Sequence, residues 1–537
     1  MDPDLDRFES RRSTVYAPNG IVATSQPLAA RAGASILEDG GNAFDAAVAT
    51  AAALNVVEPT STGLGGDVFA LYRTSDGEVG GLRSCGGAPG DATIDAVREA
   101  VASEQSADPT EVSMPSEGPH TVTVPGTARG WEATLERFGR RSLADVLDPA
   151  IEYAREGYPV TEVVAAQWEH AEDLFSDDNA REAFLPAGRS PRVGETVTLP
   201  HLGESLALVA QKGADVVYEG EIGDAIVREV QTRGGFLSRS DLAGFEPEFV
   251  DPVSTTYGGA EIYELPPNNQ GPIVLEALNV AEALGAGDHE DSVDRVHYLV
   301  EATKRAFVDG HRHITDPDYE TIPDLASKAY AEKRASEAGP EATDPEIGVP
   351  DSNAEFSDTV LLAVADETGN VVSYINSRFA GFGSGLVAGE TGIALQNRGA
   401  SFSLDPEHPN RLEPGKRPFH TLIPAVAKLD VGDWAAFGVM GGFMQPQGHV
   451  QVLSGLLDEG RPLQAALDAP RWRYLESGRL AIEARIGDQL ATKLARRGHD
   501  VVVRPPSTFG GAQIVRNDDG VLSGATEPRK DGSVVGY

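Results

Sequence analysis

Residues 360–365, Val-Leu-Leu-Ala-Val-Ala, form an uncharged run headed by Thr359 and preceded by Asp358. Successive side chains of a strand point to opposite faces, so this strand is apolar on both. It belongs inside a fold, covered on each side. A second stretch makes the same demand: Asn42 to Leu54 is Ala-rich and almost wholly apolar, which predicts a buried helix. Ala29 to Leu37 predicts another helix, stopped by Gly40 and Gly41. Gly63, Gly65 and Gly66 predict a loop, and VFALYR after it a strand.

Further along, residues 104–120 are polar and predict a surface loop. Ala-rich helices run on to about residue 235, and residues 294–313 form another strong helical pattern. Residues 315–357, rich in Pro, Asp, Glu and Ser, predict an exposed linker. Beyond it the texture changes. TVLLAVAD, NVVSYIN, GIALQN and WAAFGVMG predict short strands broken by glycine turns. The order is helices first, then a strand-rich last third, with the boundary near Thr359. At 537 residues the length alone allows about three or four average domains, or one large unit. No repeat of 20–50 residues is visible.

Asp plus Glu number 83 against 44 Lys plus Arg, a formal charge of −39. Such a chain repels nucleic acid. The charge is spread along the chain, which points to a solvated acidic surface that concentrated salt screens, as in halophilic proteins. No run is apolar enough to span a bilayer. One cysteine, Cys85, excludes an internal disulfide. The first residues lack the basic-then-apolar pattern of a secretory signal, so a cytoplasmic protein is expected.

The chain contains no GxxxxGK[ST], HExxH, GxSxG or CxxC pattern. His311 and His313 fall at a predicted helix end where residues i and i+2 do not share a face, which favours a solvated terminus over a metal site. Thr359 offers more. A threonine hydroxyl is a poor nucleophile without a base. A threonine made the first residue of a chain can use its own α-amine, whose ordinary pKa of about 7.7–8.0 suits that task. This requires cleavage of the peptide bond before it, and so an exposed segment followed by a rigid strand. Gly441 and Gly442 follow a strand-like run, and consecutive glycines let two backbone N–H groups face one anion. Taken singly, each of these features also fits an ordinary turn.

Together with GGNAFDAAVA, VVEPTSTGLGGD, VPGTARGWEA, TVLLAVADETGNVVS, FGSGLVAGETGIALQN and GVMGG, they resemble the γ-glutamyltranspeptidase family of N-terminal-nucleophile hydrolases. The resemblance runs from about Gly20 to the C-terminus. It implies an α+β fold, a four-layer αββα sandwich with helical additions. It implies self-cleavage before Thr359 into a large region, 1–358, and a small one, 359–537, which stay intertwined. Thr359 would be the nucleophile of both cleavage and catalysis. Ser377 would hydrogen-bond it, and Gly441 and Gly442 would hold the oxyanion. A γ-glutamyl donor such as glutathione would acylate Thr359, with water or an amine as acceptor, and with no cofactor or metal.

The departures lie at the glutamate-binding end. The family's carboxylate-clamping arginine falls on Cys85 or Gly87, and Arg83 is the nearby candidate replacement. The family's amine-holding aspartate falls on Ser401, an asparagine on Phe379, and a pair of serines on His420 and Thr421. Arg398 stands where a glutamine is usual. Residues 402–418 are shorter than the lid-bearing segment of many members, which favours hydrolysis over transfer. Two alternatives follow: an N-acyl amide hydrolase of cephalosporin-acylase type with a non-glutamyl acyl group, and an unprocessed homologue that only binds. In every version the partner is a small molecule, not nucleic acid or a membrane. The acidic surface predicts that the thermal unfolding midpoint rises as KCl is raised from about 0.1 M to about 2 M; a midpoint indifferent to salt contradicts the halophilic reading.

Overall fold

The computed structural model describes residues 12–289, 292–345 and 357–537. The strands that build its two large sheets are, in chain order, β1 (Val15–Ala17), β2 (Gly20–Thr24), β3 (Asp67–Arg73), β4 (Val79–Ser84), β5 (Glu248–Val250), β6 (Val253–Tyr257) and β7 (Ala260–Glu264), followed by β8 (Ser357–Asp366), β9 (Val371–Ala380), β10 (Ala425–Asp430), β11 (Asp433–Met440), β12 (Gly511–Asp518), β13 (Val521–Thr526) and β14 (Ser533–Gly536). One seven-stranded sheet has the order β14-β2-β8-β9-β3-β4-β5 and the other β1-β13-β12-β11-β10-β7-β6. Neighbours pair antiparallel throughout.

The two-faced strand sits near the middle of its sheet, and its side chains sort by parity. Leu361, Ala363 and Ala365 pack in an apolar layer with Phe69, Leu71, Val426, Ala436 and Val515 from both sheets. Val360, Leu362 and Val364 pack outward against α1 (Pro27–Glu38), α2 (Ala43–Val57) and α3 (Leu143–Glu156). On the far side, α4 (Gly271–Ala283), α5 (Ser292–His313) and α6 (Met444–Leu457) cover Ala427, Phe437, Val439 and Ile514. Helix, sheet, sheet and helix are therefore stacked around three apolar layers, the α+β αββα arrangement.

Helix α2 is buried along its whole length, as its composition demands. Asn42 caps it: its Oδ1 accepts from the N–H groups of Phe44 and Asp45, while Asp45 accepts back from the Asn42 N–H at 2.8 Å. Ala43 N–H donates to Asp366 at the far end of β8 (2.9 Å), so the helix start and the central strand are fixed together.

Several expectations need correction. Both sheets take strands from before residue 265 and after residue 356; of the seven early strands only VFALYR, in β3, was expected, and the helices-then-strands division misses β1, β2 and β4 to β7. GIALQN is not a strand; it makes only single bridges, Val387 with Ala394 and Gly65 with Leu395. Residues 315–345 are exposed at many positions, as expected, but they are anchored to the fold rather than a free linker. Thr315, Asp316, Leu325 and Ala331 are buried, and Lys328–Ala335 is a helix. Polar composition hid this, because Asp316 is buried through an ion pair with Arg417 rather than through apolar contact. The rest of that expected linker, 346–356, lies outside the described residues. His311 is buried between Phe307, Phe419 and Phe443, not solvated. Among the described residues, no helix is long and apolar enough to cross a membrane.

Leu361 is fully buried between the sheets, and a Cβ added at Gly438 of β11 would lie 2.9 Å from its Cδ2. Leu361→Ala should destabilise the protein by about 2–5 kcal/mol in denaturant unfolding, the range for a core leucine that leaves a cavity. A shift below about 1 kcal/mol would mean that the sheets are not closely packed there.

Candidate functional site

The site lies at the end of the β8-β9-β3-β4 sheet where β8 starts. Val360 pairs with Asn376, but Asp358 pairs with Phe379. Two residues of β9, Ser377 and Arg378, therefore face the single Thr359. This is a β-bulge, a device that re-aims side chains at a strand end. Thr359 is buried, and its Oγ1 donates to Ser377 Oγ at 3.3 Å. Ser377 Oγ also accepts from the Phe379 N–H at 2.8 Å. Phe379 takes φ +83°, a left-handed conformation rare for a bulky residue and worth about 1–3 kcal/mol of strain. That bend turns its N–H back onto Ser377. The sequence-predicted nucleophile and its hydroxyl partner are thus brought together.

The row continues across the sheet. Ser377 pairs with Asp67 at the start of β3, and Cys85 lies just past the end of β4 beside Asp67. Asp67 is fully buried and was not singled out from sequence. Its Oδ1 accepts from Gly126 N–H and Gln396 Nε2, each at 3.1 Å. Its Oδ2 lies 3.0 Å from His420 Nε2. The Leu422 N–H donates to His420 Nδ1 (3.2 Å), which leaves the ring proton on Nε2, aimed at Asp67. Burial, with the Arg398 charge beside it, keeps His420 neutral by pushing its pKa well below the usual histidine value. Burial raises the Asp67 carboxyl to about 7, against the opposing pull of Arg398 and its hydrogen bonds.

Arg398 opens a short 3-10 turn, Arg398–Ser401, and is completely buried. Its guanidinium lies 4.4 Å from the Phe379 ring centroid, and Nη1 donates to Thr421 Oγ1 at 2.9 Å. Ser401 is buried at the end of that turn, its carbonyl accepting from Asn410 Nδ2. Arg398, Thr421, His420 and Asp67 thus form one connected group reaching the Thr359–Ser377 pair through Phe379.

Gly441 (φ +115°) and Gly442 (φ +55°) turn β11 into α6 with backbone angles that favour glycine. A Cβ on Gly441 would approach the Gly510 Cα to 3.1 Å. Their carbonyls accept from the Met444 and Gln445 N–H groups. Gln270, also missed from sequence, donates from Nε2 to both Thr421 O (2.8 Å) and Gly442 O (2.9 Å), tying the glycine turn to the Arg398 side of the site. Behind the turn, the Val439 N–H donates to His449 Nε2, and His449 Nδ1 donates to Glu264 at 2.7 Å.

The arginine-clamp positions cannot serve as one. Cys85 is buried, and burial pushes its thiol up to about 12. A Cβ on Gly87 would fall 2.1 Å from the Gly415 carbonyl oxygen, and one on Gly86 2.3 Å from Val124 Cβ, so neither position has room for a side chain. Arg83 is committed to Glu248 and the Pro267 carbonyl. Beyond Cys85 opens a cleft of about 520 Å³ whose Arg417 is likewise paired, with Asp316 and Glu248. Phe402, Leu404 and Leu412 from the shortened segment pack onto the helix Ile94–Gln105. A separate pocket of about 250 Å³ around His201 and Leu202 contains none of these residues.

The sequence profile of the gamma-glutamyltranspeptidase family matches residues 29–537. The glutathione hydrolase-like YwrD proenzyme of Bacillus subtilis is 38% identical over 97% of this chain and 99% of its own length. The oxamate amidohydrolase proenzyme of Klebsiella pneumoniae is 35% identical over 98% of this chain and 100% of its own. The crystal structure of a cephalosporin acylase from Bacillus halodurans superimposes with a TM-score of 0.91 at 44% identity, covering 100% of this chain and 99% of that one.

The Asp67 proton is held to about pH 7 in the folded protein but leaves near the ordinary 3.8 in the unfolded chain. The stability this group contributes is complete below about pH 4 and is lost as pH rises through about 7. Asp67→Asn should remove that component, so the stability difference between wild type and variant changes across this window. A difference independent of pH from 4 to 8 would show that Asp67 does not titrate there.

Proposed function

Since the chain belongs to the gamma-glutamyltranspeptidase family and is an enzyme of the N-terminal-nucleophile hydrolase type, we propose that it is a self-processing amide hydrolase working through an acyl-Thr359 intermediate. The observation that carries this reading is the Thr359 Oγ1–Ser377 Oγ contact of 3.3 Å at the head of a buried central strand.

In processing, Thr359 Oγ attacks the carbonyl carbon of residue 358 and the C–N bond breaks, giving an ester and a free α-amine. Water then cleaves the ester, leaving 1–358 and 359–537 as separate chains that stay intertwined in the two sheets. In turnover the new amine takes the hydroxyl proton as Oγ attacks the substrate amide, and returns it to the leaving amine. Water enters in the second half, and the acid is released. Ser377 holds Oγ in position. The N–H groups of Gly441 and Gly442 stabilise the oxyanion of each tetrahedral intermediate, the term that contributes most in acyl transfer. His420 is neutral and donates toward Asp67. It therefore orients the acyl-binding side and moves no proton in the reaction.

The family's reaction on γ-glutamyl compounds such as glutathione is one version of this reading. A second, a non-glutamyl N-acyl amide, is favoured by the crowding at Gly86 and Gly87, by the buried thiol of Cys85 and by the pairing of Arg83. It agrees with the activities for which the oxamate amidohydrolase and the cephalosporin acylase are named. Hydrolysis outruns transfer in this reading, because segment 402–418 is short and leaves the site open to water, its Phe402, Leu404 and Leu412 packing on the helix Ile94–Gln105. The excess of carboxylates fits work in concentrated salt.

Purified protein in high salt should give two bands on a denaturing gel, and Thr359→Ala should give one and no turnover. Two bands from Thr359→Ala would exclude self-cleavage by Thr359. Ser377→Ala should fold and lower kcat by about 10–100-fold, as loss of one positioning hydrogen bond does; unchanged kcat removes Ser377 from the mechanism. A stable single band from wild type, without turnover of any amide, would support a binding protein instead.

A further inference from the structure

Arg398 has donors that the protein does not use. Its side chain is fully buried, and Nη1 is fixed by Thr421. Among the described residues, Nε and Nη2 meet no acceptor. Buried guanidinium N–H groups left unpaired are costly, so native structures rarely keep them without a reason. Nε–H and Nη2–H are the parallel pair on one edge of a guanidinium, the edge that takes a carboxylate through two hydrogen bonds. Asp67 is the charged neighbour, but its oxygens are occupied by Gly126, Gln396 and His420. It balances the charge of Arg398 through space and leaves this edge free.

The surroundings say where such a carboxylate would sit. The Phe379 ring covers one face of the guanidinium, and the Phe379 N–H reaches Ser377 Oγ, the partner of Thr359. Arg398 is therefore one side chain removed from the nucleophile, on the acyl side of the site. The same surroundings reject an ammonium group. Phe379 is apolar, Ser401 carries no charge, the guanidinium itself repels a cation, and the nearby carboxylate, Asp67, is already taken up by Gly126, Gln396 and His420.

We propose that Arg398 is a specificity-determining residue that binds the free carboxylate of the acyl group, so that the substrates are monoamides of dicarboxylic acids without an α-amine. This rests on the reading that an amide acylates Thr359. It differs from a γ-glutamyl donor in one chemical respect, the missing ammonium. Thr421 is a positioning residue here, since it holds Nη1 and thereby aims the Nε–Nη2 edge.

The test compares p-nitroanilides on the processed protein in high salt: succinyl and glutaryl, their neutral isosteres butyryl and valeryl, and γ-glutamyl. The expected kcat/KM for glutaryl exceeds that for valeryl by about 100-fold and also exceeds that for γ-glutamyl. In Arg398→Gln the glutaryl-to-valeryl ratio should collapse toward one, chiefly through KM, and Arg398→Lys should recover part of it. Should Arg398→Gln fail to fold, inhibition of the wild type decides: free glutarate should compete and glutaramide should not. Equal cleavage of glutaryl and valeryl anilides, or preference for γ-glutamyl, overturns the carboxylate anchor while leaving the hydrolase intact. Cleavage of no anilide at all overturns the hydrolase reading, and the anchor with it.

Discussion

The antiparallel pairing of β8 with β9 decides where Thr359, the proposed nucleophile, stands. From Val360 onward the register is regular, and both faces of β8 are sealed by apolar side chains. At Thr359 the register slips by one residue of β9, which places Ser377 within reach of the threonine hydroxyl. Loosening this pairing would separate the hydroxyl pair and expose the strand together. The catalytic reading and the fold therefore depend on the same few hydrogen bonds.

Around that pair the protein has spent polar groups where an apolar core would be cheaper. Asp67, His420, Arg398 and Gln270 are all buried. All but Arg398 are hydrogen-bonded to segments far away in sequence: Asp67 to Gly126 and Gln396, His420 to Asp67, Gln270 to Thr421 and Gly442. A network of this kind adds little net stability, because each member gives up its hydration. What it fixes is geometry. The glycine turn, the Arg398 turn and the start of β3 are held in one arrangement relative to Thr359, as a site that must be preorganised requires.

Thr359, Gly441 and Gly442 were legible because their chemistry and conformational freedom are local: a lone hydroxyl before an apolar strand, and two glycines where positive φ is needed. Helix α2 was legible from composition, since only burial suits so apolar a helix. Asp67 and Gln270 were not, since the partners that define them come from 59 to 353 residues away. The anchoring of segment 315–345 escaped for a related reason: Asp316 pairs with Arg417, and the carbonyls of Arg334 and Glu337 accept from Arg305 of α5. GIALQN has the alternation of a strand but only single bridges, because its chain leaves the sheet after each contact. Arg398 was visible as a departure from the glutamine usual at that position in the family the sequence resembles. Its unused edge became visible only in three dimensions.

The central claim is that a chain end created at Thr359 carries the acyl group. Mass spectrometry of processed protein, quenched with acid during turnover of a slowly hydrolysed amide and digested, tests it most directly. The account predicts a peptide beginning at Thr359 whose mass is increased by the acyl group and which loses that mass on mild alkaline treatment, as an ester does. Turnover by protein in which residue 359 remains joined to residue 358, with no acylated peptide at any time, would contradict it.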